Sequence, residues 1–216
     1  MSRPATPPMA GSAVIAGIVL AGGRGQRLGQ GEKCLCQLGG RSLLAHATDL
    51  QRLASESGDT LAGTLALGCF STLAPAFLPR LIGGFTAAHP ATQISIGEET
   101  QTGLIEGLRR GSYDLALLYS VDLPDDVAAT TLARFDPYVL LPARHRLATK
   151  ARITLQELVD EPLILLDILP SRVYFMRILE RAGVTPRIAF ASPSLELVRG
   201  LVGQGQGYSL LVTRPF

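Results

Sequence analysis

The strongest constraint on the fold is an alternation of short apolar strands and amphipathic helices through residues 63–212. It opens at residues 64–70, which have the pattern of a β-strand and lead into a polar turn. Apolar residues then recur at helical spacing: Leu73, Phe77, Leu81 and Phe85. Because strands joined by helices pair in parallel through right-handed crossovers, this alternation predicts an α/β fold.

The polar turn after the first strand is a candidate binding site. A helix that starts directly after a strand has unpaired N–H groups in its first turn. The hydroxyl of Ser71 or Thr72 can cap these groups while also facing a ligand. Small anions are the ligands that such a turn favours. The alternative is that both hydroxyls serve only as helix caps.

A second set of strands and helices follows an extended run at residues 131–141. The predicted elements are a short helix opened by a capping box at residues 154–157, a strand at 163–166, a helix at 171–182, a strand at 187–190, a helix capped by Ser192 with Pro193 at its first position, and a strand at 209–212. The sequence therefore predicts two lobes, at about residues 63–132 and 133–212, joined by an extended hinge. Such lobes bind small ligands in the cleft between them.

Composition and charge argue against several classes of partner. The formal net charge is +2 and the 20 Lys and Arg residues are scattered, so nucleic-acid binding by this chain is not predicted. Three cysteines lack the spacing of a metal site, and their odd number fits buried thiols in a reducing cytoplasm. No apolar run reaches the roughly 18 residues of a membrane span. The Pro-rich residues 1–12 are predicted to form a disordered tail.

Residues 13–48 predict a strand, a loop and a helix that are separate from the later series. An apolar strand at residues 14–20 opens into LAGGRGQRLGQGEK, where Arg27 and Lys33 provide positive charge for a phosphate. The spacing matches neither a Walker A loop nor a dinucleotide-binding motif. A solvated loop is the alternative. The polar residues 49–62 are predicted to be a linker.

This piece resembles the opening of the molybdenum cofactor guanylyltransferases and their sugar-nucleotide transferase relatives. The matching residues, within about 13–46, are Leu20-Ala21-Gly22-Gly23, Arg27-Leu28-Gly29, Lys33 and residues 38–46. The resemblance implies a nucleotide site formed by Leu20, Gly22, Gly23, Arg27 and Lys33. It also implies GTP and Mg²⁺ as the cofactors of a nucleotidyltransferase, which is the alternative function. Glu32 replaces the usual Asp, Ser42 replaces the usual Pro, and no strand-end aspartate for Mg²⁺ follows.

Residues 58–216 resemble the effector-binding domain of LysR-type transcriptional regulators. The matching pieces span the whole stretch and include Gly63-x-Leu65-x-Leu67-Gly68, His89-Pro90, Asp114-Leu115-Ala116-Leu117, Glu161-Pro162-Leu163-Ile164, Ala182-Gly183 and Gly205-x-Gly207-Tyr208. The resemblance implies a two-lobed α/β fold of the type 2 periplasmic-binding-protein kind. Against the family pattern, the domain is expected to be truncated at its C-terminus and to lack the N-terminal helix-turn-helix.

The same resemblance implies a small organic acid or another metabolite as the effector, bound between the lobes. Matching positions imply contacts from Thr72, Thr100, Gln101, Leu169 and Ser171, and local geometry adds Ser71 and Ser192. The leading hypothesis is a cytoplasmic effector-binding domain without catalytic or metal-binding residues and without a cofactor. It is expected to form homo-oligomers and to contact neither nucleic acid nor membrane. A fused or truncated bacterial gene product is a third possibility.

Overall fold

The computed structural model describes residues 17–22 and 63–213, and of the first segment only the backbone. The strands in these ranges are β1 (Gly17–Gly22), β2 (Gly63–Phe70), β3 (Thr92–Glu99), β4 (Leu115–Tyr119), β5 (Ala129–Arg134), β6 (Tyr138–Leu140), β7 (Pro162–Leu166), β8 (Arg187–Ser192) and β9 (Ser209–Leu211). The helices are α1 (Ala74–Ala88), α2 (Gln101–Arg110), α3 (Ser171–Arg181) and α4 (Leu195–Gly203), with a 3-10 turn at Leu155–Leu158. The described residues divide into a first unit, 17–22 with 63–135, and a second unit, 136–213.

The first unit contains a five-stranded sheet with the order β3-β2-β4-β1-β5. β2 pairs in parallel with β3 and β4, as the alternation of strands and helices predicted. Its core contains Cys69 of β2, Leu104 of α2 and Leu118 of β4, all fully buried. Burial raises the pKa of the Cys69 thiol to about 12, which confirms the prediction of a buried thiol at this position. Cys34 and Cys36 lie outside the described residues.

Asp114 has a structural role at the start of β4. Its carboxylate oxygen Oδ2 accepts a hydrogen bond from the backbone N–H of Ala66 at 2.8 Å. Its own N–H donates to the carbonyl oxygen of Ala66, also at 2.8 Å. These two bonds join the beginning of β4 to the middle of β2. They also explain why a carboxylate is tolerated at a buried position.

The strand β1 corrects the interpretation of the N-terminal residues. The sequence predicts a strand at residues 14–20 that belongs to a separate nucleotidyltransferase fragment. In the structure the strand is Gly17–Gly22, and it lies inside the sheet of the first unit, antiparallel to both β4 and β5. Leu20 and Gly22 therefore take part in strand pairing. The other predicted nucleotide-binding residues lie outside the described residues: Gly23, Arg27 and Lys33.

The second unit contains two small sheets. β7 pairs in parallel with β8, β6 pairs antiparallel with β9, and Leu163 of β7 forms a parallel bridge to Tyr208. Helix α4 packs its apolar face on these strands. The buried cluster consists of Ile164, Leu166, Leu195, Val198, Val202 and Leu211. Burial of this contiguous apolar surface is the main stabilising contribution to the unit.

Two predicted boundaries in the later series are wrong. The extended run at 131–141 is two strands, because β5 ends at Arg134 and β6 begins at Tyr138. Pro137 precedes β6 and has no N–H to donate to a strand partner. The N-cap of α4 is Ser194, whose Oγ accepts from the N–H of Leu197 at 3.3 Å, and not Ser192, which is the last residue of β8.

A capping interaction at the 3-10 turn confirms the predicted start of a short helix. The N–H of Thr154 donates to Glu157 Oε2 at 2.9 Å, and Lys150 Nζ donates to Oε1 of the same carboxylate. The hydrogen bond from Lys150, followed by that from the Thr154 backbone, lowers the pKa of Glu157 to about 2. The charged form of Glu157 is therefore favoured by folding.

We expect the variant Glu157→Gln to be less stable than the parent protein at pH 7. Glutamine can still accept a hydrogen bond from Thr154, but it lacks the charge that pairs with Lys150. Because the folded-state pKa lies below the ordinary glutamate pKa of 4.5, the charge stabilises the protein above pH 4.5, and this stabilisation is lost as the pH falls towards about 2. Urea unfolding midpoints at pH 7, 5 and 3 measure this difference.

The exposed Glu180 of α3 offers a matched control for that measurement. The variant Glu180→Gln removes the same charge without removing the contact to Lys150. A difference between Glu157→Gln and the parent that is as large at pH 3 as at pH 7 contradicts the prediction.

Candidate functional site

Polar residues of the first unit gather where β2 and β3 end. The two strands are parallel and end in register, with Phe70 opposite Glu99. Helices α1 and α2 begin a few residues later, so two helix N-termini follow the same edge of the sheet. In open α/β sheets this edge is where ligands bind. Four of the predicted effector-binding residues follow these strand ends: Ser71, Thr72, Thr100 and Gln101.

The hydroxyls of the first turn do not cap α1, contrary to the sequence prediction. The N-cap of α1 is Leu73, which makes no side-chain hydrogen bond. Its N–H donates to the carbonyl oxygen of Phe70 at 2.8 Å, so a turn separates Ser71 and Thr72 from the helix. The first helical turn contains a proline and no acidic residue. The Ser71 N–H instead donates to the carbonyl oxygen of Glu99, at 3.4 Å.

Thr72 forms a hydroxyl pair with a tyrosine at the end of β4. Thr72 Oγ1 and the Tyr119 hydroxyl oxygen are 3.0 Å apart, both residues are buried, and either oxygen can be the donor. Burial raises the pKa of Tyr119, so its hydroxyl stays protonated. The contact uses one of the two hydroxyl protons. One O–H of the pair therefore remains able to donate to a third group.

Gln101 contributes a free hydrogen-bond acceptor. Its side-chain Nε2 donates to the carbonyl oxygen of Val121 at 2.6 Å. A carbonyl oxygen only accepts, so this contact fixes the orientation of the amide. The other atom, Oε1, is buried and has no partner among the described residues. Since an unpaired buried amide oxygen costs free energy, it is well placed to accept a hydrogen bond from a ligand.

The N-terminus of α2 already has a cap and a nearby negative charge. Thr100 Oγ1 accepts a hydrogen bond from the N–H of Gly103 at 3.2 Å. Gly103 has no Cβ, but a Cβ added there would lie 3.0 Å from Glu99 Oε2, so this carboxylate lies beside the same helical turn. Both features satisfy the positive end of the helix. An anionic ligand is therefore favoured more at the start of α1, which has no side-chain cap and no acidic residue in its first turn.

The second unit has its own group of candidate residues after β7 and β8. These parallel strands end together, with Leu166 opposite Ser192. The N–H of Asp167 donates to the Ser192 carbonyl oxygen at 2.8 Å, which ties the two strand ends together. Ser192 Oγ accepts from the N–H of Ser194 at 3.1 Å. The Ser192 hydroxyl thus stabilises the turn into α4 and retains its own proton to donate.

Leu169 and Ser171 flank the start of α3. Ser171 is the first residue of the helix and is buried, whereas Leu169 is 62 % exposed. The charges of Asp167 and Arg172 pair at 3.0 Å in the same segment. A buried hydroxyl and an exposed apolar side chain therefore lie two residues apart at a helix N-terminus.

Sequence reasoning missed two groups of the first-unit site. Tyr119 was not among the candidate residues. A tyrosine as the last residue of an apolar strand is a usable signal, because parallel strands present their final residues to the ligand edge. The contact of Gln101 with the backbone carbonyl of Val121 could not be predicted from the sequence, because every residue has a backbone carbonyl.

Within 17–22 and 63–213, no three His, Cys, Asp or Glu side chains are arranged to hold a metal ion. Of the helices described, none has both the length and the apolar character of a membrane span.

Comparison with known proteins gives consistent matches. The model of the LysR substrate binding domain family matches residues 58–214. The uncharacterized HTH-type transcriptional regulator YybE of Bacillus subtilis is 30 % identical over 154 residues, covering 69 % of this chain and 51 % of the relative. HinK, a LysR family transcriptional regulator from Pseudomonas aeruginosa, superimposes with a TM-score of 0.70 and 48 % identity, covering 79 % of this chain and 61 % of that one. The effector binding domain of BenM, solved with its effector benzoate, has a TM-score of 0.62 and 27 % identity, covering 69 % of each chain.

These matches correct the interpretation of the N-terminal residues a second time. Nothing in them supports a nucleotidyltransferase, GTP or Mg²⁺ at residues 13–46. The chain spans about half the length of the curated relatives it matches. The solved neighbours have the type 2 periplasmic-binding-protein-like fold of LysR effector-binding domains. Since the family model matches well over half of the sequence, the chain belongs to the LysR family of transcriptional regulators, with its effector-binding domain at residues 58–214.

Proposed function

We propose that the first unit binds a small organic acid that also carries a hydrogen-bond donor, such as a hydroxyl or an ammonium group. The observation that carries this proposal is the buried, unpaired Oε1 of Gln101 at the C-terminal edge of the sheet. This oxygen only accepts hydrogen bonds, so its partner on the ligand must be a donor.

The acid group of the ligand is assigned to the start of α1. This helix end has no acidic residue in its first turn, and helix N-termini favour anions. Thr72 lies in the turn just before this helix, and the remaining O–H of the Thr72–Tyr119 pair can donate to a carboxylate. A carboxylate near α1 and a donor group near Gln101 together define the ligand class.

A relative gives support for the acid group. BenM is described with benzoate as its effector, and its effector-binding domain is 27 % identical to this chain. Benzoate carries a carboxylate and no hydroxyl. The proposal that the ligand carries an acid group therefore agrees with this relative. The proposal that the ligand also carries a hydrogen-bond donor rests on Gln101 of this chain.

The wider biological role follows from the family. We propose that ligand binding by this domain regulates transcription in the cytoplasm, within a homo-oligomer. We assign no catalytic step, cofactor, nucleic-acid contact or membrane contact to the domain itself. In the second unit, Leu169, Ser171 and Ser192 are proposed as additional effector contacts, because Leu169 and Ser171 follow the end of β7 and Ser192 is the last residue of β8.

The test is a thermal-shift screen with acids in matched pairs that differ by one hydroxyl. Suitable pairs are propionate and lactate, succinate and malate, and benzoate and 3-hydroxybenzoate. A ligand that binds only the folded state raises the midpoint, so at least one hydroxylated acid should give a larger shift than its partner. A folded sample that responds to no acid, or equally to both members of every pair, contradicts the proposal.

The variant Gln101→Met tests the role of the amide directly. Methionine has a similar shape but cannot accept the proposed hydrogen bond, so we expect roughly tenfold weaker binding of the preferred hydroxylated acid, measured by calorimetry. Binding of its hydroxyl-free partner should change much less. The matched control is Gln156→Met, because Gln156 Nε2 also donates to a backbone carbonyl, that of Ala182 at 2.8 Å, on an exposed surface. If Gln101→Met retains the preference for the hydroxyl, the assignment of Oε1 is wrong.

A further inference from the structure

The strand β1 has an unexpected origin. It consists of Gly17–Gly22, which precede the residues that match the family model, 58–214. Even so, it occupies an internal position of the first-unit sheet, between β4 and β5. Its residues pair with β4 from Ile18 opposite Tyr119 to Gly22 opposite Leu115. On its other side it pairs with β5 from Ala129 to Arg134, and an irregularity between Ile18 and Val19 leaves Leu132 without a partner in the register.

The sheet depends on β1 for its continuity. In the order β3-β2-β4-β1-β5, and among the residues that the structure describes, the strand β5 joins the sheet only through β1. Without β1, one side of β4 would lose its backbone partners, although Leu117, Leu118 and Tyr119 are almost completely buried. Unpaired backbone groups at buried positions are strongly unfavourable. The slot between β4 and β5 therefore requires a strand.

The sequence of this segment fits an internal strand. Residues 13–21, AVIAGIVLA, form an uninterrupted apolar run. Strands that are buried on both faces have such continuous apolar sequences, whereas strands with one solvent-exposed face alternate apolar and polar residues.

We propose that Gly17–Gly22 is a structural component of the effector-binding domain, a strand that completes its first unit from outside the family-matched region. The occupant of the slot is this chain's own β1, connected to β2 through residues 23–62. The segment that resembled the start of a nucleotide-binding fragment thus acts as the fifth strand of the sheet. This proposal does not depend on the identity of the effector.

Proline substitution in the full-length chain tests the proposal. A proline at position 20 removes a backbone N–H from a strand that is paired on both sides. We expect Leu20→Pro to lower the thermal midpoint by several degrees and to remove hydrogen-exchange protection from the amides of β4 and β5. Amides of β7 and β8, in the second unit, should keep their protection. The control Leu20→Val keeps the N–H and a strand-forming side chain, so it should resemble the parent.

Two further measurements remain decisive if Leu20→Pro fails to fold. In the parent protein, the amides of residues 18–21 should be protected from exchange as strongly as those of β4. A synthetic peptide of residues 15–24, added in excess during refolding of Leu20→Pro, should restore protection of β4, and a scrambled peptide should not. Unprotected amides at 18–21 in the parent, or a Leu20→Pro variant with the stability and exchange pattern of the parent, would overturn the proposal.

Discussion

Replacing Gly207 with alanine should destabilise the second unit by roughly 3 kcal/mol, through backbone strain and steric overlap. Gly207 has a φ of +150°, which side chains rarely adopt, and an added Cβ would overlap the carbonyl oxygen of Pro162. That oxygen cannot easily move, because it accepts a hydrogen bond from the N–H of Tyr208 at 2.9 Å. The N–H of Ile164 donates back to the Tyr208 carbonyl at 2.8 Å, so the strain falls on the pairing of β7.

Urea unfolding of Gly207→Ala, followed by probes in each unit, measures this effect. The matched control is Gly200→Ala, because Gly200 lies inside α4 and an added Cβ there meets nothing within 4 Å. Alanine at that position should stabilise the helix by about 1 kcal/mol. A Gly207→Ala variant as stable as the parent would show that the backbone around Gly207 can move to accommodate a Cβ. The prediction of strain at this position would then be wrong.

The variant Gly107→Ala should destabilise the first unit by about 1–3 kcal/mol, although alanine favours helices. The ring of Tyr113 lies against Gly107 of α2, and an added Cβ would overlap its carbon atoms. The same ring lies over Gly68 of β2 and Gly97 of β3. Since Tyr113 fills a space bounded by three glycines, the ring has little room to shift.

A double-mutant cycle with Tyr113→Ala separates the overlap from other effects. Once the ring is absent, Gly107→Ala should change sign and stabilise α2 by about 1 kcal/mol. Gly83→Ala in α1 is the control, because an added Cβ there meets nothing within 4 Å. Chemical unfolding of the four members of the cycle gives the coupling. A Gly107→Ala effect that is the same with and without the ring would refute this account.

The alternation of strands and helices was sufficient to predict most elements of residues 63–212. It identified β2, β7 and β8, and it predicted the parallel pairing that the structure has between β2 and both β3 and β4, and between β7 and β8. Boundaries were less predictable where two residues could serve the same purpose. Ser192 and Ser194 both suit an N-cap, and the contact between Asp167 and Ser192 at the strand ends decided that β8 continues to Ser192.

The candidate site was only partly predictable. The residue types and positions of Thr72 and Gln101 follow from sequence matches, but their hydrogen bonds do not. Thr72 contacts Tyr119, which is 47 residues away, and Gln101 contacts the carbonyl of Val121, which carries no side-chain signal. The capping role predicted for the first-turn hydroxyls was lost because Leu73 forms a turn with Phe70 before the helix starts.

The sequence by itself determined the α/β class, the family and the edge of the sheet where polar residues collect, because these depend on local periodicity and on short motifs. The tertiary structure alone decided which apolar strand fills the slot between β4 and β5 and which amide oxygen lacks a partner. The apolar run predicts a strand at residues 14–20, where the structure has Gly17–Gly22, but it contains no information about the neighbours of that strand. Strand pairing and hydrogen-bond satisfaction are set by contacts between residues far apart in the chain, and these exist only once the chain is folded.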